Sequence, residues 1–187
     1  MRVMVIDNHD SFVYNIVDMI LRTGMEVEVF ENDDLPDPAY ANKFQFLVIS
    51  PGPGNPLNPV DRGKTLDFVS GTEFRRILGI CFGHQLLGFH LGSEIYRTDK
   101  LYHGEVDTIS NLGGGILKGI SGDFHAVRYH SLAITPSRNI IVDAVSGTDG
   151  TIMAFHSKDH RIFGIQFHPE SYYSEFGEDI IREFLFP

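Results

Sequence analysis

The sequence predicts an α/β fold, in which an open, mostly parallel sheet carries helices on both faces beside a small antiparallel β ribbon. Two observations support this. In the first half of the chain, short apolar runs typical of buried parallel strands alternate with helical stretches. After Gly92, short β-rich segments separated by glycine, proline and polar turns predict antiparallel strands.

The elements of the first half follow from where the apolar runs begin and end. Strands are predicted at residues 3–6, 25–30, 46–49 and 77–80. The first helix is predicted from caps at Asp10 and Ser11 to a stop at Gly24, because apolar residues recur on one face between them. Further helices are predicted at residues 60–70 and 84–91.

The second half is predicted to be richer in strands than in helices. Its β-rich segments lie near residues 94–97, 104–109, 125–128, 132–135, 140–145, 152–156 and 162–167. We expect some of them to pair as a small ribbon and the later ones to rejoin the main sheet. A final amphipathic helix is predicted over residues 174–186. Because no proline- or serine-rich linker separates the two halves, residues 1–187 are expected to form a single domain.

Charge and composition limit the partners of the chain. A net charge of −10 argues against a nucleic acid or an anionic membrane surface. No apolar run approaches the roughly 20 residues that cross a bilayer, and the N-terminal run ends at Asp7 like a first strand. A single cysteine excludes an internal disulfide and favours a reducing, cytoplasmic location. His156 and His160 lack carboxylates at a spacing typical of zinc, so no metal site is expected.

The single cysteine, Cys81, lies between Gly79 and Gly83 in a Gly-x-Cys-x-Gly motif, at a predicted strand-to-helix junction. This is the cysteine version of the nucleophile elbow, in which a strained turn pushes the nucleophile clear of the sheet. Side chains two residues before and after it would collide, so glycine occupies both positions. The N–H of Phe82 would face an oxyanion, and the helix N-terminus would favour a thiolate. The alternative is a buried structural cysteine.

A cysteine nucleophile needs a base, and His168 has an orienting carboxylate at a suitable spacing. In His168-Pro169-Glu170 an extended backbone would turn the first and third side chains to the same side, and the proline is typical of a strand end. Glu170 would then hold the imidazole tautomer, as in a triad. By itself the motif is equally compatible with a surface turn. It follows a predicted strand, as Cys81 does, and the ends of parallel strands meet at one sheet edge.

The Pro-Gly-Pro-Gly segment at residues 51–54 also follows a predicted buried strand. Its prolines stiffen the loop and its glycines leave the backbone bare, so the N–H of Gly52 is a candidate second oxyanion donor beside Phe82. A phosphate loop is excluded, because no Gly-Lys-Ser or Gly-Lys-Thr ends the segment. A simple connecting turn is the alternative.

Together these motifs resemble the class I, triad-type glutamine amidotransferase domain. The family pattern is a Gly-x-Cys-x-Gly-x-Gln elbow, here residues 79–85, and a distant His-Pro-Glu-Ser, here residues 168–171. Within the family, the chain is similar to the glutaminase subunits of anthranilate synthase and aminodeoxychorismate synthase. The motifs that carry this similarity are residues 7–12, 50–56, 103–104 and 128–132. Phe82 and His9 stand where leucine and tyrosine are commoner in the family.

The resemblance implies a role for each motif residue. Cys81 is the expected nucleophile, His168 the base and acid, and Glu170 its orienting carboxylate. Gly52 and Phe82 are expected to supply the oxyanion N–H groups. The residues expected to hold the substrate are Gly54, Gln85, Tyr129, His130 and Ser131.

The resemblance also implies a reaction and a partner. The expected reaction is hydrolysis of L-glutamine through a cysteinyl thioester, with no metal or organic cofactor. Ammonia would pass to a large chorismate-binding subunit in a heteromer, since 187 residues are too few to hold that enzyme as well. Anthranilate synthase, in tryptophan biosynthesis, is the first choice. The alternatives are aminodeoxychorismate synthase in folate biosynthesis, a stand-alone γ-glutamyl hydrolase and a non-catalytic partner subunit.

Overall fold

A nine-stranded sheet runs through the computed structural model, which describes residues 1–186. The strands are β1 (Arg2–Asp7), β2 (Glu26–Glu31), β3 (Phe46–Ile49), β4 (Arg76–Ile80), β5 (Ile95–Arg97), β6 (Glu105–Asn111), β7 (Phe124–Arg128), β8 (Leu132–Ile134), β9 (Ile140–Ser146), β10 (Ile152–Ser157) and β11 (Ile162–Ile165). The helices are α1 (Val13–Leu21), α2 (Pro38–Ala41), α3 (Pro59–Arg62), α4 (Thr65–Gly71), α5 (Phe82–His90) and α6 (Gly177–Leu185), with a 3₁₀ turn at Gly115–Leu117.

The order of the strands in the sheet is β2-β1-β3-β4-β11-β10-β9-β6-β7. The first five strands run parallel, and the last four continue the sheet in antiparallel pairs. β5 and β8 form a separate two-stranded antiparallel ribbon. The α/β fold class, the small ribbon and the return of the later strands to the main sheet are therefore confirmed.

Helices cover both faces of the parallel half. On one face, α1 and α6 pack against alternate residues of the strands, such as Val3 and Val5 of β1. On the other face, α4 and α5 pack against the intervening residues, such as Met4 and Ile6. Because both faces of β1 are buried, its sequence is a continuous apolar run rather than an alternation of apolar and polar residues.

Several helix boundaries differ from the predicted ones; α5, for example, spans Phe82–His90 rather than residues 84–91. Three of the differences have a local reason. α1 starts at Val13, because the Asp10 carboxylate accepts a hydrogen bond from the N–H of Phe12 (2.7 Å) and forms a turn before the helix. The next predicted helix divides into α3 and α4 at Gly63, whose φ is +53°. α6 starts after Phe176, whose φ is +59°. Across residues 1–186, no helix has the length and apolar character needed to cross a membrane.

Candidate active site

Cys81 lies at the sharp turn between β4 and α5. Its φ of +52° is rare for a residue with a side chain, and its N–H is held by the carbonyl of Ile165 at 2.8 Å. A Cβ on Gly79 would collide with the backbone of Gly83, and a Cβ on Gly83 would collide with the carbonyl of Ile49. Steric exclusion therefore accounts for glycine on both sides of the turn. The Cys81 sulfur lies at the N-terminus of α5.

The sheet order brings His168 to the same edge as Cys81. β11 pairs in parallel with β4, with Ile165 opposite Ile80, so the chain leaves both strands side by side. Beyond β11, the N–H of His168 donates to the carbonyl of Val127 at 3.0 Å and joins the end of β7. Cys81 and His168 line one cavity of about 460 Å³.

His168 and Glu170 form a buried pair. Nδ1 of His168 lies 2.6 Å from Oε1 of Glu170, and both side chains are less than 5% exposed. The expectation of an extended backbone here is wrong, because residues 168–171 form a turn in which the N–H of Ser171 donates to the carbonyl of His168 at 3.3 Å. The turn, rather than an extended backbone, therefore brings the Glu170 carboxylate into contact with the His168 imidazole.

The environment of His168 favours the imidazolium. Burial alone would lower its pKa, but the interactions with the Cys81 sulfur and the Glu170 carboxylate outweigh burial and raise the pKa well above its usual value. Nε2 of His168 is buried and, among residues 1–186, has no hydrogen-bond partner. A protonated imidazole with one unpaired N–H at a cavity wall can give a proton to a leaving group there.

A second cavity, of about 170 Å³, adjoins the first at Cys81. The predicted site residues that line it are Gly52, Gly54, Cys81, Phe82, Gln85, Tyr129, His130 and Ser131. Pro53, Leu101, Tyr102, His103 and Leu132 complete the wall. The family resemblance gave none of these five a role, although Pro53, His103 and Leu132 lie within the motifs that carry it.

The loop after β3 is packed tightly against the loop after β1. A Cβ on Gly52 would lie 2.5 Å from the Cβ of Asn8, so only glycine fits there. The N–H of Asn8 donates to the Ser50 hydroxyl at 2.9 Å, and its amide donates to the Ser50 carbonyl at 2.9 Å. Gly52 therefore sits on a rigid backbone beside Cys81, as an oxyanion donor would require.

A buried arginine, Arg128, contacts two residues of the second cavity's wall, Tyr102 and His130. It is fully buried, pairs with Asp107 (2.7 Å) and Asp149 (2.9 Å), and stacks 3.4 Å from the ring centroid of Tyr102. The Tyr102 hydroxyl donates to Asp149 at 2.6 Å. The partners come from distant segments, so no local motif predicted this network.

The same network determines the state of His130. Burial, and then the charge of Arg128, lower the pKa of His130 to about 4, so its imidazole is neutral near pH 7. Nε2 of His130 accepts from Nε of Arg128 at 3.0 Å, which leaves Nδ1–H to donate to the Leu132 carbonyl at 2.9 Å. His130 therefore supports the cavity wall as a neutral, oriented side chain.

Known proteins resemble this chain in sequence or in fold. Anthranilate synthase component 2 of Saccharolobus solfataricus is 39% identical over 194 residues, covering 97% of this chain and 96% of the relative. Aminodeoxychorismate synthase of Streptomyces griseus is 34% identical over 186 residues, covering 98% of this chain and 26% of the relative. A solved structure from Thermotoga maritima, described as a glutamine amidotransferase, has the same fold, with a TM-score of 0.76 at 16% identity over 91% of this chain and 76% of that chain.

The sequence profile of one family, described as "Glutamine amidotransferase class-I", matches residues 4–187. That match spans nearly the whole chain and includes the elbow, the loop after β3 and the His168 turn. On this match and on the relative from Saccharolobus solfataricus, the chain belongs to the class-I glutamine amidotransferase family.

Proposed function

We propose that the chain is the glutaminase subunit of an anthranilate synthase. It would act as one domain, hydrolyse L-glutamine and pass ammonia to a separate, larger subunit that uses chorismate. The observation that carries this proposal is the meeting of Cys81 with the buried His168–Glu170 pair at one sheet edge. The relatives named anthranilate synthase component 2 support the choice of synthase.

In the first half-reaction, the Cys81 thiolate attacks the side-chain amide carbon of glutamine and forms a C–S bond. The electron pair of the carbonyl moves to oxygen, and the N–H groups of Gly52 and Phe82 stabilise that oxyanion. His168 then gives its Nε2 proton to the amide nitrogen as the C–N bond breaks. Ammonia leaves, and a glutamyl thioester remains on the sulfur.

In the second half-reaction, the now neutral His168 takes a proton from water, which attacks the thioester carbon. The C–S bond breaks, glutamate leaves, and the thiolate–imidazolium pair is restored. Glu170 keeps the ring oriented in both steps and stabilises the imidazolium by its hydrogen bond to Nδ1. All atoms are supplied by glutamine, water and the side chains.

The second cavity is the proposed glutamine pocket, lined by Gly54, Gln85 and residues 129–131. Both N–H groups of the Gln85 amide are already used, one on the Leu132 carbonyl (2.8 Å) and one on Gln166 (3.1 Å). Gln85 can therefore meet the substrate only through its amide oxygen, as an acceptor.

The first cavity is the proposed exit for ammonia. Its wall is built from Cys81, His168 and residues 9–12, so it connects the sulfur with the loop after β1. Phe12, which lines its rim, is exposed, and so is Tyr14 two residues further along the chain. We infer that the larger subunit covers this rim and receives ammonia there. A reducing cytoplasm would suit the free thiol of Cys81.

The serine variant of the nucleophile tests this proposal. The complex with the native larger subunit is assayed with glutamine and, separately, with ammonium salt. In Cys81→Ser we expect glutamine-dependent synthesis to fall by about 10⁴-fold or more, while ammonia-dependent synthesis persists. Loss of both activities would show a structural role for Cys81. Adduct formation by a glutamine-analogue alkylator at any residue other than Cys81 would also contradict the assignment.

A second candidate function is supported by the relative from Streptomyces griseus, an aminodeoxychorismate synthase. The chain would then serve folate rather than tryptophan biosynthesis. Identification of the aromatic product formed by the chain and its co-purified partner separates the two. Anthranilate supports the first proposal, and aminodeoxychorismate supports the second. Strong glutaminase or peptidase activity of the isolated chain would favour a stand-alone hydrolase instead.

A further inference from the structure

The Cys81 sulfur has two polar neighbours besides His168. The amide nitrogen of Gln166 lies 3.6 Å from Sγ, and the carbonyl oxygen of Tyr129 lies 3.8 Å from Sγ. Gln166 follows β11 directly and is fully buried, with its own N–H bonded to the Met153 carbonyl at 2.8 Å. None of the sequence motifs gave Gln166 a role, yet it is a buried amide in contact with the reacting atom.

The direction of the Gln166 amide is determined by its neighbours. The Leu132 carbonyl can only accept, so the Gln85 side chain must turn its NH₂ group toward it. The second N–H of that group then points to Gln166, which must present its oxygen at 3.1 Å. The NH₂ group of Gln166 is therefore left facing the sulfur, and flipping it would place two donors against each other.

At the other end of this series of hydrogen bonds, Arg128 and His130 also fix the direction of each bond. Arg128 can only donate, so His130 accepts at Nε2 and donates from Nδ1 to the Leu132 carbonyl. Leu132 thus receives hydrogen bonds from both His130 and Gln85. Because each partner has one possible role, the Gln166 donor is held toward Cys81 before any substrate binds, which is the preorganisation that a reactive site needs.

The two contacts of the sulfur favour opposite protonation states. A thiol can donate to the Tyr129 carbonyl, whereas a thiolate is an acceptor and gains nothing from it. The Gln166 N–H can only donate, and hydrogen bonds from a neutral donor to an ion are stronger than those to a neutral acceptor. Ionisation of Cys81 therefore strengthens the bond from Gln166 and weakens the contact with Tyr129.

We propose that Gln166 is a positioning residue for the nucleophile. Its amide donates to the Cys81 sulfur, stabilises the thiolate and directs it toward the glutamine pocket. This inference rests on the proposed glutaminase function, which it deepens by naming a residue for the attacking step. Gln85, which belongs to the family motif, then acts partly through Gln166, because it orients the Gln166 amide.

Two variants test the proposal. Gln166→Met removes the donor at similar volume, and Gln166→Glu keeps an oxygen for the Gln85 amide but places a carboxylate against the sulfur. Gln45→Met is the matched control, since Gln45 lies at the opposite end of the sheet and bonds the N–H of Arg2. The reaction measured is alkylation of the free chain by iodoacetamide over a range of pH. The chain has one cysteine, so the signal has one source.

We expect the pH of half-maximal alkylation to rise by about one unit in both Gln166 variants, with an about tenfold lower rate near neutral pH. In Gln166→Glu, acidification should restore part of the relative rate, because a protonated carboxyl can donate again. Gln45→Met should match the unmodified chain. The titratable groups that share the cavities with the sulfur are His9, Asp10, Tyr102, His103, Tyr129, His130 and His168. All are the same in every variant, so they cannot cause the difference.

In the complex, both Gln166 variants should lower kcat for glutamine by about tenfold and leave KM within about threefold, since the bond is made to the nucleophile rather than to the substrate. An unchanged pH profile in a folded Gln166 variant would overturn the role of Gln166 and leave the proposed function intact. If Gln166→Met fails to fold, the near-isosteric Gln166→Glu gives the answer. Absence of glutaminase activity in the unmodified complex would instead overturn the proposed function.

Discussion

Two buried histidine–carboxylate pairs lie in or next to the main sheet, and they differ in what surrounds them. His168 and Glu170 meet at 2.6 Å beyond the parallel strands, where the free Nε2 adjoins a cavity that also contains the Cys81 sulfur. His156 and Asp143 meet at 2.8 Å between the antiparallel strands β10 and β9. Here the imidazole is stacked on His160, with ring centroids 4.4 Å apart.

The backbone of Gly114 and Gly115, as well as the His160 ring, packs against the His156–Asp143 pair. A Cβ on Gly114 would collide with the Asp143 carboxylate, and a Cβ on Gly115 would do the same. Burial raises the pKa of Asp143, against the opposing effect of its bond to His156. A buried acid–histidine pair therefore does not by itself make an active site. A cavity that the ring shares with the Cys81 thiol distinguishes the first pair from the second.

Replacing the histidine of each pair should give the largest contrast. In His168→Asn we expect kcat for glutamine to fall by about 10³–10⁴-fold, because the general acid and base are lost together. In His156→Asn we expect a lower Tm but a kcat within about twofold for the folded fraction, because only packing and a buried hydrogen bond change. Steady-state kinetics and thermal unfolding are the measurements. Comparable losses of kcat in both variants would show that the shared cavity does not set the two pairs apart in catalysis.

Neutralising the carboxylates should give the next largest contrast. In Glu170→Gln we expect kcat to fall by about 10²–10³-fold and the pKa of His168 to fall, because the partner that stabilises the imidazolium loses its charge. Since the folded-state pKa of His168 is raised, its contribution to stability is present below about pH 6.5 and is lost as pH rises through the folded value. In Glu170→Gln this loss should move to lower pH.

Histidine ring NMR over a pH series, with unfolding followed at each pH, checks this prediction. Asp143→Asn is the matched control, and it should leave the His168 titration where it is in the unmodified chain. A His168 titration that does not move in Glu170→Gln would mean that the sulfur alone keeps the ring charged.

The smallest effect should come from disturbing the packing around the His156–Asp143 pair. Gly114→Ala would push a methyl group against the Asp143 carboxylate, and we expect it to lower the free energy of unfolding by about 1–3 kcal/mol. Glutamine turnover by the folded protein should stay unchanged. Gly119→Ala is the control, since a Cβ there would meet no atom of residues 1–186 within 4 Å. Denaturant unfolding of both variants measures the difference. Equal stabilities would show that the Asp143 carboxylate can move away from the added methyl group at little cost.

The predictable part of the site consists of short motifs at strand ends. The elbow around Cys81, the loop with Gly52 and the pair of His168 with Glu170 each lie within a few residues of sequence. Their physical causes are local: steric exclusion at glycine, a stiff backbone at proline and a carboxylate near its histidine. Even so, the backbone at residues 168–171 is a turn rather than extended, because hydrogen bonds from Ser171 and Ser174 to the carbonyl of His168 bend it.

The sequence by itself determined the α/β class, the nucleophile motif and the acid–histidine pair, because apolar periodicity and steric exclusion act over a few neighbouring residues. The assembled fold was needed to show which histidine–carboxylate pair lies beside the Cys81 sulfur, why Arg128 is buried next to the pocket wall and that Gln166 donates to the sulfur. The hydrogen bonds around the Cys81 sulfur and the Gln85 amide join β4, β7, β11 and their loops, and they span 47 to 85 residues. No local pattern encodes such pairings, since they depend on the order in which the strands assemble.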